Sequence, residues 1–359
     1  MSEKKQDRIL FWDILKGIGI ISIVFGHSQN LGILIRMVYF YHLAVFFFVS
    51  GYFYNEERYG DKPFDFFGRR LQNMWPSYVC YGLVFVFFHN FMVKHLLFGG
   101  NLYGTREMAA AVVNTFLLTC MEGAAGAMWF VPVMLGAGTV FGFLVWLCRS
   151  FLPQRLRLWG LALLCAAAGA AGVILFQKQL YFGYHLHVAI LMVPVYFVGY
   201  FVRKKQIDVK KYIKWYAALV CAGLFWYYLV VKGCTIELSA AVIPPGISFY
   251  VISAVGIYLC CFVAVCLEKL SGLGKYVALA GRYSFDIMAL HFLVFKLTDG
   301  IYGRMSGLPA ENYAIFPHSY PQLHVVYLVL GVVVPLVIAV AARWVMRGIG
   351  KRVRNVAQH

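Results

Sequence analysis

Long apolar runs alternate with short polar segments along the whole chain. A helix needs about 20 predominantly apolar residues to cross the hydrocarbon core of a bilayer. Ten runs meet or approach that length: residues 9–31, 35–55, 74–94, 128–148, 158–176, 188–202, 215–231, 247–267, 283–299 and 323–346. The first and ninth contain charges, and the sixth is short. Two connecting segments are long. Residues 95–127 include Arg106–Cys120, apolar enough to lie in the interface or dip into the bundle, and residues 300–322 are rich in Gly, Pro and Tyr, as an external lid or rim would be. The pattern predicts an all-α polytopic membrane bundle, a single membrane-embedded domain over residues 1–359, with no repeat and no separate soluble domain. The first run holds Asp13 and Lys16 and has no small-residue cleavage site after it, so it reads as a retained span.

Composition agrees. Hydrophobic residues make up 62% and charged residues 13%, with a mean hydropathy of +0.73. A soluble chain has about 45–50% apolar and roughly 25% charged residues, so soluble, disordered and disulfide-scaffold classes are excluded. The net charge of +17 raises the question of nucleic acid. The placement of Lys and Arg answers it. One set of alternating segments holds Lys4, Lys5 and Arg8; Arg58, Lys62, Arg69 and Arg70; Arg149, Arg155 and Arg157; Arg203, Lys204, Lys205, Lys210, Lys211 and Lys214; Lys269, Lys275 and Arg282; and Arg343, Arg347, Lys351, Arg352 and Arg354. That is 24 of the 32 basic residues; the other set has only Arg36, Lys94, Arg106, Lys178, Lys232 and Arg304. The ladder predicts ten crossings, both termini cytoplasmic, in the inner or plasma membrane, and accounts for the charge without nucleic acid. Nine cysteines form no CxxC pair and mostly sit in apolar runs, where they read as small buried hydrophobes; whether Cys120 meets Cys234 is left open.

Ionisable groups within a span are costly and mark function by default. From Lys16 to His27 is eleven helical steps of about 100°, which returns to the same face, with Asp13 about 60° away. At 1.5 Å per residue the two lie roughly 16 Å apart along the axis. One polar stripe thus joins Asp13 and Lys16 at the cytoplasmic end to His27 in the outer half, and Gly17, Gly19 and Gly26 admit close neighbours. The plainer reading is an interfacial Asp13–Lys16 pair with His27 snorkelling outward. His42 reaches a similar depth, and imidazole suits a general base for a hydroxyl, although His42 taken alone is equally a structural donor. In the ninth span Ser284 and His291 share a face while Asp286 points elsewhere. Arg69 and Arg70 precede the third span, where guanidinium forks suit phosphates and also serve as topology anchors. His185 and His187 lack a third ligand, so no metal is expected. Trp129–Pro132 reads as an aromatic anchor and a helix kink. No GxxxxGK[ST], HExxH or GxSxG is present, and Ser50-Gly51 lacks the setting of a nucleophile elbow.

Six segments in order, FWDILKGIGIISIVFGH, HLAVFFFVSGYF, GRRLQNMWPSY, AMWFVPVML, VYFVGYF and GRYSFDIMALHF, resemble the integral-membrane acyltransferase-3 family, and within it the fucose 4-O-acetylase-like sugar O-acetyltransferases. The resemblance runs over essentially the whole chain. The family usually has Arg eleven residues before the first-span histidine; Lys16 stands there, keeping the charge without the bidentate fork. The resemblance implies acyl-CoA, usually acetyl-CoA, from the cytoplasm and a carbohydrate or glycolipid hydroxyl, for example of an envelope polysaccharide, at the outer face. Lys16, Arg69 and Arg70 would then hold the CoA phosphates, with Asp13 orienting or neutralising Lys16. His27 would act as general base or acyl carrier. His42, Ser284, His291 and Trp129 would bind the acceptor, or the histidines would support the oxyanion. Competing classes are a transporter or exporter of a small metabolite or glycolipid, which mid-membrane charges also suit, and a sensor or scaffold, which would leave the Lys16–His27 stripe dispensable.

Overall fold

In the computed structural model the described residues are 3–28, 32–309, 313 and 315–356. The side chains of 3–9, 271 and 347–356 lie outside that description, and with them the ladder charges Lys4, Lys5, Arg8, Arg347, Lys351, Arg352 and Arg354. Helices follow one another as α1 (Glu3–Ser28), α2 (Gly32–Tyr39), α3 (His42–Tyr52), α4 (Glu56–Tyr59), α5 (Pro63–Lys94), α6 (Thr105–Phe116), α7 (Phe130–Phe151) and α8 (Gln154–Gln177). Then come α9 (Leu186–Lys204), α10 (Val209–Tyr212), α11 (Trp215–Trp226), α12 (Ser248–Lys269), α13 (Ser271–Arg282), α14 (Ser284–Met305) and α15 (His324–Val356).

Among the described residues eight helical stretches are long and apolar enough to cross a membrane, or nine if the α13–α14 pair, bent by 84°, is counted as one span. The remaining candidate, Trp215–Val231, is shorter than these. The ninth run is the span α14, and a further helix outside that run, α13, precedes it and folds against α1.

Burial sorts the spans. Two-thirds of Leu10–Ser28 is buried, against 22% of the best window in the last span and 28% in Gln154–Gln177. With apolar residues on all sides, α8 and α15 present Leu163, Ile174, Val325 and Val337 outward, as lipid-facing helices do. α1 is wrapped by α2, α3, α12, α13, α14 and α15. Small residues allow the closest approaches. A Cβ on Gly281 would stand 1.9 Å from the Asp13 carbonyl oxygen, and one on Gly17 would stand 2.0 Å from that of Val277. The same exchange joins α3 to α9, where a Cβ on Gly51 would meet Tyr196 O at 1.8 Å and one on Gly199 would meet Phe48 O at 1.9 Å.

α5 starts eleven residues before the run that predicted it, so Arg69 and Arg70 ride on a helix rather than in a connecting loop. Segment 95–127 does fold back: α6 packs along α5, and Trp75 Nε1 donates to Phe116 O at 2.9 Å. Glu122 then pairs with His89 at 2.7 Å, and Tyr103 stacks on that imidazole at 3.5 Å. All nine cysteines are free, Cys120 and Cys234 included.

Candidate active site

Three histidines from three helices converge at one end of the bundle. His27 lies in the last turn of α1, His42 opens α3, and His291 sits two turns into α14. The His27 and His291 rings stack at 5.4 Å with 23° between their planes. Phe292 lies 4.8 Å from His27, and Tyr39 lies 6.3 Å from His27 and 4.7 Å from His42. His42 is placed by a break in the second span: α2 ends at Tyr39, and the chain turns through Phe40 and Tyr41 before α3 begins. Its Nδ1 spans that break to Val38 O at 2.9 Å.

Those contacts fix the tautomers. A carbonyl oxygen only accepts, so the His42 Nδ1 carries the hydrogen. His291 Nδ1 likewise donates to Met288 O at 2.8 Å and Ile287 O at 3.1 Å. Each neutral ring therefore offers Nε2 as a lone pair, and His291 Nε2 is buried with no partner among the described residues. A neutral ring so held presents an acceptor rather than a donor at Nε2.

His27 and His42 line a small cleft of about 40 Å³, and His291, stacked on His27, is not among its lining residues. His27, Tyr39, His42, Trp129, Glu237 and Ser239 supply its polar edge, with Ile23, Leu43, Phe130 and Met288 as walls. Trp129 thus stands where the sequence placed it. The kink does not: Pro132 falls in the first turn of α7, where a missing N–H costs no helical hydrogen bond. Ser284 is the first residue of α14, two turns before His291, and it does not line the cleft. Asp286 points away, accepting from Tyr81 at 2.8 Å and pairing with Arg343 at 3.3 Å.

Asp13 and Lys16 pair at 2.9 Å, and Arg282 clasps the same carboxylate at 2.8 Å. Eleven residues of helix, about 16 Å, keep them out of reach of His27. Neither can touch the atoms that His27 touches. Arg69 and Arg70 part company: Arg69 is exposed, while Arg70 turns inward over the Phe66 ring, packs on Gly138 and reaches Met134 O at 3.4 Å. Arg70 Nε and the hydroxyls of Tyr54 and Tyr196 are buried with no partner among the described residues. Gly138, against Arg70, and Phe130, in the cleft wall, are eight residues apart on α7, about 12 Å along the axis.

Several site residues were invisible in the sequence. Arg282 stood in the sequence only as a ladder charge within GRYSFDIMALHF, and Glu237 comes from a segment with no motif. Burial pushes the Glu237 carboxyl up from its ordinary value, against the hydrogen bonds it accepts from Ser239. Next to the histidines, Lys296 and Asp299 form a fully buried pair at 2.6 Å. Lys296 donates to Ile315 O and Asp299 accepts from Tyr327 and from Ser319 N, which ties residues 315–320 to the bundle. His318 stacks on Tyr327 at 4.7 Å, and burial pushes its imidazole down. Only Lys296 stood out in the sequence, as a charge within a span. Among the described residues no three His, Cys, Asp or Glu side chains are grouped to hold a metal.

A family model described as an acyltransferase domain, acyltransferase-3, matches residues 9–344. No curated protein and no solved structure matches the chain.

Proposed function

The chain belongs to the acyltransferase-3 family and is an integral membrane acyltransferase, and from that premise we propose that it moves an acetyl group from cytoplasmic acetyl-CoA to a hydroxyl of a carbohydrate or glycolipid acceptor at the outer face. The observation that carries the reading is the His27 ring, held against His291 and open to the cleft, while Arg70 packs on Gly138, eight residues or about 12 Å along α7 from the cleft-wall Phe130. A donor with an anionic nucleotide end and a thin acyl-bearing arm matches that separation of parts. Arg69 and Arg70 meet the phosphates, and the unpartnered hydroxyls of Tyr54 and Tyr196 meet the polar groups of the arm.

At the cleft, His27 takes the proton of the acceptor hydroxyl as its oxygen bonds to the thioester carbonyl carbon. The C–S bond then breaks, and the imidazolium returns the proton to the departing thiolate, leaving an ester and free CoA. His42 Nε2 and His291 Nε2 accept hydrogen bonds from the acceptor, and Trp129 offers a ring face for the sugar. Lys16, clasped with Asp13 and Arg282, contributes charge near the donor's phosphates and takes no part in proton transfer.

General-base catalysis contributes about 10²–10⁴-fold. His27→Ala in purified, reconstituted protein should therefore lower acetyl transfer, read as CoA released per acceptor acetylated, by at least about 10². The thermal transition of the variant should stay near that of the wild type. Undiminished transfer by the folded variant overturns the mechanism.

A further inference from the structure

Residues 232–247, between α11 and α12, carry no recognisable motif, yet they close one side of the histidine cleft. Ile236 and Leu238 are buried at 2% and 5% exposure, anchoring the segment on the bundle. A two-way backbone pairing of Glu237 with Val242, both bonds 2.8 Å, sets its shape. Ser239 donates to Glu237 Oε1 through its Oγ at 2.5 Å and its N–H at 3.3 Å. The carboxylate is thereby held at the cleft edge with its second oxygen uncommitted to Ser239.

Glu237 is the one acidic group in the lining of this cleft, beside the donors Tyr39 and Trp129. Glu237 accepts, and His42 presents a lone pair at Nε2 because its Nδ1 is spent on Val38 O. No lining residue among those described carries a fixed positive charge. Such a site welcomes groups that donate, and a hydroxyl-rich ring does so from adjacent carbons. A carboxylate or phosphate brought beside Glu237 would meet a like charge with no cation to offset it.

We infer that the 232–247 segment is the acceptor-recognition element, with Glu237 receiving neighbouring hydroxyls of a neutral polyhydroxylated acceptor and excluding acceptors with an anionic group next to the reacting hydroxyl. This rests on the acyltransferase reading of the cleft. It adds a specificity-determining residue and a charge class for the acceptor.

The test uses full-length reconstituted protein, acetyl-CoA, and two acceptors differing only at the exocyclic carbon: a methyl hexoside and the matching methyl hexuronide. The wild type should favour the neutral glycoside by roughly tenfold or more in kcat/KM, since discrimination through a charge-assisted bond is of that order. Glu237→Gln should raise the KM for the hexoside by about tenfold and bring the two acceptors within roughly threefold of each other. The thermal transition of the variant should match that of the wild type, showing that the fold is intact. Equal use of both acceptors by the wild type, or an unaltered preference in Glu237→Gln, overturns the inference while leaving acyl transfer standing. Transfer to neither acceptor by the wild type overturns the carbohydrate reading itself, and the role of Glu237 with it.

Discussion

At the scale of single residues, the bonding of His291 bears on two roles that sequence alone leaves open. A donor to a developing oxyanion acts in the transition state, and removing one costs about 10²–10³ in kcat. An acceptor of a substrate hydroxyl acts in binding, and a neutral hydrogen bond of that kind is worth about 0.5–1.5 kcal/mol, roughly three- to tenfold. The Nδ1 of His291 already donates to Met288 O and Ile287 O, which in a neutral ring leaves Nε2 to accept. His291→Phe keeps an aromatic ring against His27 and Phe292 and removes the Nε2 lone pair together with the Nδ1 bonds to the carbonyls of its own helix. The acceptor KM should rise roughly three- to tenfold with kcat little changed; a hundredfold loss in kcat at constant KM would assign it the oxyanion role instead. Both histidines were legible in the sequence, since a polar group within an apolar run is costly and therefore conspicuous. Which ring nitrogen faces the cleft was not legible, because it depends on a carbonyl that only the folded backbone brings near. Glu237 was hidden for the opposite reason: an acidic residue in a polar loop is ordinary until the loop folds over a site.

Among the elements, spans were the easiest to read, because an apolar run of bilayer length has few alternatives. Breaks were harder. The start of α5 among charged residues, the turn at Phe40–Tyr41 and the 84° bend between α13 and α14 leave no hydropathy signal. The bend is held by what α13 packs against. Gly281 lies so close to α1 that its missing Cβ is the condition for contact, with Asp13 O at 1.9 Å from where that atom would be. Backbone cannot yield as a side-chain tip can. Gly281→Ala should therefore lower stability by at least about 1–3 kcal/mol, the usual range for overpacking. It should also weaken the Arg282–Asp13–Lys16 clasp one residue away. Gly68, on α5, has no heavy atom within 4 Å of its would-be Cβ. Gly68→Ala should be neutral or stabilising by about 0.5–1 kcal/mol, the helix preference for Ala over Gly. Melting both variants in detergent checks the pair, and equal effects would mean that the α1–α13 contact does not control the fold.

For the molecule as a whole, charge and site divide between the two ends of the bundle. The end holding Lys16 and Arg70 keeps a surplus of cations even after pairing. Arg149 and Lys204 share Glu56, Arg149 also holds Asp61, Lys210 holds Glu268, and Arg343 holds Asp286. Arg69, Arg155 and Lys205 remain exposed there. The end holding His27 has paired its buried Lys296 with Asp299 and places Glu237 at the cleft. Under the proposed reaction the polyanionic donor would be drawn to the first end and the neutral acceptor accommodated at the second. The Lys/Arg ladder made this polarity legible as an expected orientation, with His27 and His42 at the poorer end; that residues 236–239 join them in the cleft emerged only when the loops were in place. The consequence is a sided reaction. In vesicles carrying the protein in one orientation, sorted with an impermeant label, transfer should occur when acetyl-CoA is supplied on the Arg70 side and the acceptor on the other. It should fail when the two are exchanged. Arg70→Ala should weaken the donor alone, leaving the acceptor KM unchanged. Raising salt well above 0.1 M, where the screening length is already about 10 Å, should weaken the wild-type donor affinity and narrow its difference from the variant. Transfer only with acetyl-CoA on the His27 side would reverse the path, and Arg70 would then be a packing residue over Phe66 and Gly138 rather than a donor contact.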